Sequence, residues 1–247
     1  MTAVEVRTVI SGHDVSRAEV LAWEAARLPK AATRIGLAVP PGELAHQRLR
    51  FAEAKLALGP DEIRRRLSGA LRASDLSGRA TARLSRGRRV TSVCDLHVTG
   101  GDTAAFVDWF MATDRPDYER SMMAANPDHF LITTTSQGLQ EVIETTGGSP
   151  LPSRFLIDYQ DLASLRTPLD PTYTADASGV ARSESGLPIG GVRHQFRDTD
   201  SGFHAHLVVE FPRLLPSHLV QQHQWHLAVE FTNWIEAAFR GSADSWS

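Results

Sequence analysis

Cysteine is nearly absent: Cys94 is the single one in 247 residues. One cysteine excludes an internal disulfide and any multi-cysteine zinc site, so histidine, aspartate and glutamate are left as possible metal ligands. Nowhere do about 18 apolar residues run together, which excludes an ordinary membrane-spanning helix. The start, "MTAVEVRTVISGHD", has no basic leader followed by an apolar core, and the cytoplasm is the expected compartment. Neither a "GxSxG" elbow nor a phosphate-cradling glycine loop occurs, so serine-hydrolase and nucleotide chemistry lack their usual signatures.

A net charge of −3 argues against generic nucleic-acid binding, yet it hides an asymmetry. Between Arg48 and Arg89 there are 12 Lys+Arg and 4 Asp+Glu, or +8, leaving −11 for the remainder. The runs "RRR" (Arg64 to Arg66) and "RLSRGRR" have the charge to track phosphates, but no aromatics are interleaved with them. A solvated or packed helix face is the expected role, with no nucleic-acid partner.

Residues 1–75 read as a helical N-terminal extension. "DVSRAEVLAWEAARL" opens with cap-type residues, and "PGELAHQRLRFAEAKLAL" carries Ala45, Leu49, Ala52 and Leu56 at helical spacing. Pro60 suits the first position of a following helix with Ile63, Leu67, Ala70 and Leu71 on one face. Residues 76–247 read as the second domain. From about Val90, "VTSVCDLHV", "HFLITTT", "LQEVIETT", "SRFLIDY", "GVRHQF" and "FHAHLVVEF" predict a mainly antiparallel sheet. "DTAAFVDWFMAT" predicts one helix and "PSHLVQQHQWHLAVEFTNWIEAAF" a long last one, with Ser217 as N-cap. Between them "LRTPLDPTYTADASGVARSESGLPIGG" reads as a long loop able to cover a pocket mouth. The expected class is α+β: a curved antiparallel sheet gripping a long C-terminal helix, with a small-molecule cavity between them.

The last helix carries polar residues inside its apolar stripe. Winding at about 100° per residue from His223 puts Trp234 near ~+20°, Leu227 near ~+40°, Glu230 near ~−20° and His226 near ~−60°. Gln224, Ala228, Thr232 and Glu236 fall on the opposite side. A carboxylate buried in such a stripe must be protonated, paired or bound to a cation. The i, i+4 spacing of His226 and Glu230 suits two ligands of one metal, and equally a simple hydrogen-bonded pair.

"TAAFVDWFMATDRPDY", "NPDHFLI", "GLQEVIETTGGSP" and "HQWHLAVEF", in that order, together resemble the 2,4-diacetylphloroglucinol hydrolase and phloretin hydrolase family over roughly Val90 to Phe239. The resemblance implies a Bet v 1-like helix-grip fold, a homodimer, and hydrolysis of a carbon–carbon bond between an acyl group and a phenolic or polyketide ring. It also implies a divalent metal, usually zinc, held by two histidines and two glutamates: His129, His226, Glu230 and a glutamate of "QEVIETTGG". Glu144 directly precedes "TTGG", whereas Glu141 faces the other side by strand alternation, and Glu144 is the expected ligand. His194 alternates with Val192 and Phe196 and is the expected proton carrier, with Tyr118 as the tyrosine candidate for that role. Tyr159 and Tyr173 are further groups able to hydrogen-bond a phenol. Asp108 and Trp109 are expected to orient and line the pocket, and His223 to stand beside the site or in the core. His204 and His206 oppose the apolar face of their strand and are expected to point outward. A non-catalytic ligand carrier and a metal-dependent polyketide cyclase are the competing readings.

Overall fold

A computed structural model describes residues 4–240; residues 1–3 and 241–247, at the outer ends of the two expected domains, lie outside the described residues. The chain opens with strands β1 (Glu5–Ile10) and β2 (His13–Val15), not with helix. This corrects the helical reading of the first 15 residues. In "EVRTVI" Thr8 and Ile10 are buried while Glu5 and Arg7 are exposed, a period-2 pattern that a search for helical spacing passes over. Ser11 and Gly12, both at positive φ, form the two-residue turn that such hairpins favour.

Helix α1 (Arg17–Ile35) begins at Ser16, whose side chain and Glu19 form a reciprocal capping box, and stops at Gly36 in the left-handed region. Helix α2 (Leu44–Ser85) runs ten residues beyond the expected boundary. At Gly59 it leaves helical geometry (φ 75°, ψ 160°), so Pro60 starts a fresh helical run, as its missing N–H requires.

The remaining elements are β3 (Arg89–Thr99), α3 (Thr103–Met111), α4 (Tyr118–Ala124), β4 (His129–Thr134), β5 (Gln140–Glu144), β6 (Ser153–Asp158), β7 (Ala175–Arg182), β8 (Pro188–Thr199), β9 (Gly202–Pro212) and α5 (Ser217–Ala238). Among the described residues nine strands form one antiparallel sheet in the order β2-β1-β3-β9-β8-β7-β6-β5-β4. The expected long loop contains β7: its Ala177 and Val180 are buried, and small residues let it lie close to its neighbours. At Gly179 an added Cβ would stand 2.8 Å from the Asp158 carbonyl oxygen. Helix α4 had no expectation, since seven residues are too few to display a period. Ser217 is the first helical residue of α5 and does not cap it; Pro216 occupies the cap position, without a side-chain bond.

Strand alternation builds the core. Cys94, Leu96 and Val98 of β3 lie across from Leu207, Ala205 and Phe203 of β9, and all six face α5 and are buried. The opposite face of the same two strands carries Asp95, His97, His204 and His206. Asp95 accepts from His204 Nε2 (3.1 Å) and His206 Nδ1 (2.7 Å), and the His97 and His204 rings stack at 4.4 Å. His204 and His206 thus sit away from the cavity side, as their alternation predicts. Helix α5 is buried almost all round from His226 to Ile235, Ala228 and Thr232 included. The expected outer side is covered because α1 packs there, Trp23 donating to Gln222 and Arg17 to Asn233.

Two segments of α2 use their arginines differently. Arg64 grips Glu141 of β5 with two bonds (3.0 and 2.7 Å), and Arg65 and Arg66 pair with Glu62. Burial would raise the Glu141 carboxyl, but Arg64 and Arg154 outweigh it and hold the group below the usual carboxylate range. A depressed folded value stabilises above the unfolded value and loses that contribution as pH falls through the folded one. Glu141→Gln is therefore expected to cost about 1–3 kcal/mol at neutral pH. In urea titrations its deficit against the wild type should shrink below about pH 4.5; a deficit independent of pH would contradict this.

Candidate metal centre and cavity

Three segments deliver four donors to one point. His226 and Glu230 lie one turn apart on α5, His129 is the first residue of β4, and Glu144, its cross-strand partner, is the last of β5. All four are buried. His129 Nε2 lies 3.0 Å from Glu230 Oε2, 3.1 Å from His226 Nε2 and 3.7 Å from Glu144 Oε2. His226 Nε2 lies 3.6 Å from Glu230 Oε2 and 3.7 Å from Glu144 Oε2. A tetrahedral zinc with ligands at about 2.0–2.1 Å separates neighbouring ligand atoms by about 3.3–3.4 Å. The five separations bracket that value; His129, His226 and Glu230 form one group of donors able to share a metal, and Glu144 stands 3.7 Å from both imidazoles.

The electrostatics ask for positive charge among these donors. Burial pushes Glu144 up despite the two imidazoles; for Glu230 the contacts with His226 and His129 outweigh burial and hold the carboxyl far below its ordinary value. Burial would lower His226, but Glu144 and Glu230 raise it to about 9. Protons or a metal ion can supply this charge, and metal binding to such a set releases the protons. His129 Nδ1 lies 2.9 Å from the Met122 carbonyl oxygen. A carbonyl only accepts, so Nδ1 carries the hydrogen and Nε2 of the neutral ring presents its lone pair to the centre.

Residues beyond the four hold this geometry. In "NPDHF" the Asp128 side chain, fully enclosed, takes two bonds from Arg27 of α1 (2.6 and 2.9 Å). Lys55 of α2, buried, donates to the carbonyl oxygens of His129 (2.5 Å) and Met123 (3.1 Å). Burial lowers Lys55 to about 7 against the pull of Asp128. The N-terminal helices are thus part of the wall of the site. In "TTGG" Gly147 (φ 54°) presses on α5: a Cβ there would stand 2.5 Å from the Leu219 carbonyl oxygen and 2.7 Å from the His223 nitrogen. Gly147→Ala is expected to destabilise by at least about 2 kcal/mol, from backbone strain and overpacking together. A thermal midpoint within a degree of wild type would refute that.

His223 stacks on His226 (5.2 Å between centroids, 8° between planes) and its Nδ1 lies 3.2 Å from the buried Ser92 hydroxyl. With Glu144 and His226 it forms a second group of donors within metal-sharing distance. Burial, with His226 adding to it, lowers His223 well below the ordinary imidazole value, so it is neutral.

A cavity of about 410 Å³ opens beside the four donors, within the range of small-molecule sites. Val142, Phe155, Ile157, Phe211 and Phe231 supply apolar wall, and Glu144, Glu230 and His223 line it as well. His194 borders it, edge-on to Phe231 at 4.7 Å; its Nδ1 has no hydrogen-bond partner among the described residues. Burial lowers His194 to about 4, against the pull of Glu230, so at neutral pH it is an uncharged imidazole.

No protein-family model matches this chain, and no curated protein matches it.

Some expected pocket residues lie elsewhere. Asp108 is exposed, and Trp109 sits under the Arg115 guanidinium at 4.0 Å; neither lines the cavity. On α3 the inward residues are Phe106 and Phe110, an i, i+4 pair that rotates Asp108 and Trp109 away, and Phe110 does line the cavity. Tyr118 is buried one bond behind the wall, its hydroxyl accepting from Gln140 Nε2 (2.8 Å). Tyr159 and Gln140 themselves line the cavity, the tyrosine hydroxyl donating to Gln140 Oε1 (3.1 Å). Tyr173 hydrogen-bonds His204, on the far face. Of the segment expected as a covering loop, Ala181, Ser183, Ile189, Gly190 and Gly191 do line the cavity, but from β7, β8 and the turn between them and not from a loop. Ser74, Gly78 and Thr81 of α2 line it as well, and their polar helix face had given no sign of it.

Proposed function

We propose that the protein is a metal-dependent hydrolase that cleaves the carbon–carbon bond between an acyl group and a phenolic or polyketide ring, on a helix-grip fold of the Bet v 1 type. The observation that supports the metal part is the buried donor group His129, His226 and Glu230, with Glu144 3.7 Å from both imidazoles. The reaction and substrate rest on the order of the four motifs and on an apolar cavity of fitting size. A homodimer belongs to the same proposal.

Held by His129, His226 and Glu230 with Glu144 beside them, zinc or another divalent ion would keep a position open, where it would polarise an acyl or phenolic oxygen or lower the pKa of water toward about 7. The chain's own groups do the rest. The apolar wall holds the ring and excludes bulk water. The Tyr159–Gln140 pair offers a hydrogen bond to a phenolic oxygen. His194, neutral and with a free Nδ1, would accept the proton of a phenolic hydroxyl and return it to the ring carbon that leaves. With that carbon protonated an electron-rich ring is in its keto form, so when the carbon–carbon bond breaks it departs as a stabilised enolate, and no free aryl carbanion forms.

An acylated polyphenol incubated with zinc-loaded protein should yield a carboxylic acid and the deacylated phenol. His194→Ala should retain zinc and slow turnover by about 10²- to 10⁴-fold. Tight binding of such phenols without cleavage by zinc-replete protein would favour the carrier; ring closure of a linear polyketide would favour the cyclase.

A further inference from the structure

A second pocket, of about 300 Å³, lies where the end of α2, the start of β3 and the β6–β7 connection meet, and it is lined by Arg83, Arg86, Arg89 and Arg166. These arginines differ from those earlier on α2. Arg64, Arg65, Arg66 and Arg79 each rest on a carboxylate. The guanidinium groups of Arg83, Arg86 and Arg166 make no hydrogen bond or ion pair among the described residues. The Arg89 side chain is only 7% exposed, and its Nε lies 3.7 Å from Glu210 Oε2, too far for a hydrogen bond. The other Glu210 oxygen is already occupied by the backbone N–H groups of Arg166 (2.7 Å) and Thr167 (2.5 Å). Four arginines thus line the pocket, and among the described residues Glu210 stands near the guanidinium of Arg89 alone. The Ser164 hydroxyl, enclosed in the same wall, also has no partner. Burial lowers Arg89 below its ordinary value; Glu210 opposes this and Arg166 adds to it.

Arg83, Arg86 and Arg166 are exposed at the rim, whereas the buried Arg89 Nε and Ser164 Oγ have no hydrogen-bond partner among the described residues. Buried donors left unpaired are costly, and an anion seated against them would also offset the repulsion among the four like charges. Arginine forks match the oxygens of a tetrahedral phosphate two at a time, and a hydroxyl donor completes such a shell. The pocket's concavity suits a compact anion and not the extended track that a nucleic-acid backbone needs. We propose that this pocket binds a phosphate group, either free phosphate or the phosphate of a small organic molecule. The site is separate from the metal centre and does not depend on the reaction assigned to it.

Calorimetric titration of the full chain with inorganic phosphate tests this. Saturable one-to-one binding is expected, with Arg83→Ala and Arg166→Ala each weakening it about tenfold to a hundredfold. Arg65→Ala, which removes an arginine of equal charge elsewhere on α2, should leave it unchanged. Arg166→Lys keeps the charge without the fork and should bind at an intermediate strength, which guards against a folding defect in the alanine variant. Phenyl phosphate binding more tightly than inorganic phosphate through the same arginines would identify an organic phosphate as the ligand; equal affinity would identify the free anion. The proposal is overturned by no saturable binding to folded wild type, by binding indifferent to Arg83 and Arg166, or by an equal loss in Arg65→Ala. Duplex DNA binding lost in these variants, without any phosphate binding, would also overturn it.

Discussion

Zinc at a hundredfold excess over its dissociation constant is expected to stabilise the folded protein by about 2.7 kcal/mol, and His226→Ala to remove nearly all of that gain. The gain arises because the four donors meet only in the folded state: His129 and Glu144 come from adjacent strands, His226 and Glu230 from a helix far along the chain. An unfolded chain offers no such cage, so binding energy becomes folding energy. His226→Ala leaves three donors and an apolar gap in the shell. Glu230→Gln keeps the shape and removes one charge, so its loss of zinc and of turnover would trace to electrostatics and not to packing. Thermal melts with zinc and with a chelator, together with metal analysis of the same samples, measure both effects. An equal zinc-dependent shift in wild type and His226→Ala would reduce the cluster to a buried hydrogen-bonded network.

The Arg27→Ala variant should lose about 3–5 kcal/mol, because it leaves the Asp128 carboxylate buried without its partner. Asp128 has no exposed side-chain surface, and both of its oxygens are used by Arg27. Its neighbour in the chain is His129, and its carbonyl accepts from Thr145 N–H beside Glu144. Zinc affinity should therefore fall together with stability. Replacing both partners by apolar residues of similar volume, Arg27→Met with Asp128→Leu, should recover much of the stability, since neither charge is then left buried alone. Urea midpoints for the single and double variants decide it; a single variant within about 0.5 kcal/mol of wild type would mean that water reaches the carboxylate.

The parts of the candidate metal site were legible for different reasons, and His129 was singled out only by the resemblance of "NPDHF". On α5 the helical period put His226 and Glu230 within one stripe, and no knowledge of the sheet was needed. Period 2 put Glu144 and Glu141 on opposite sides and the motif before "TTGG" favoured Glu144; the structure separates them in the same way, Glu144 facing the imidazoles while Glu141 meets Arg64 and Arg154. Asp108 and Trp109 were misplaced because their helix is short and its neighbours fix its rotation. The hairpin at the N-terminus was missed because Val6, Thr8 and Ile10 alternate for too few residues to stand out beside two long helices.

What the sequence by itself determined was local. It set the alternation that divides each strand into an inner and an outer face, the capping box at Ser16, the break before Pro60, and the pairing of His226 with Glu230 one turn apart. These depend on residues a few positions apart, whose separations the backbone geometry prescribes. Only the tertiary structure decided which arginines of α2 find carboxylates and which surround a pocket without them. It alone brought α1 and α2 against "NPDHF", where Arg27 and Lys55 hold the turn that carries His129. It also put Tyr159, and not Tyr118, in the cavity wall. Such outcomes depend on groups tens to hundreds of residues apart, and what sets them is the packing of whole elements, which no local spacing encodes.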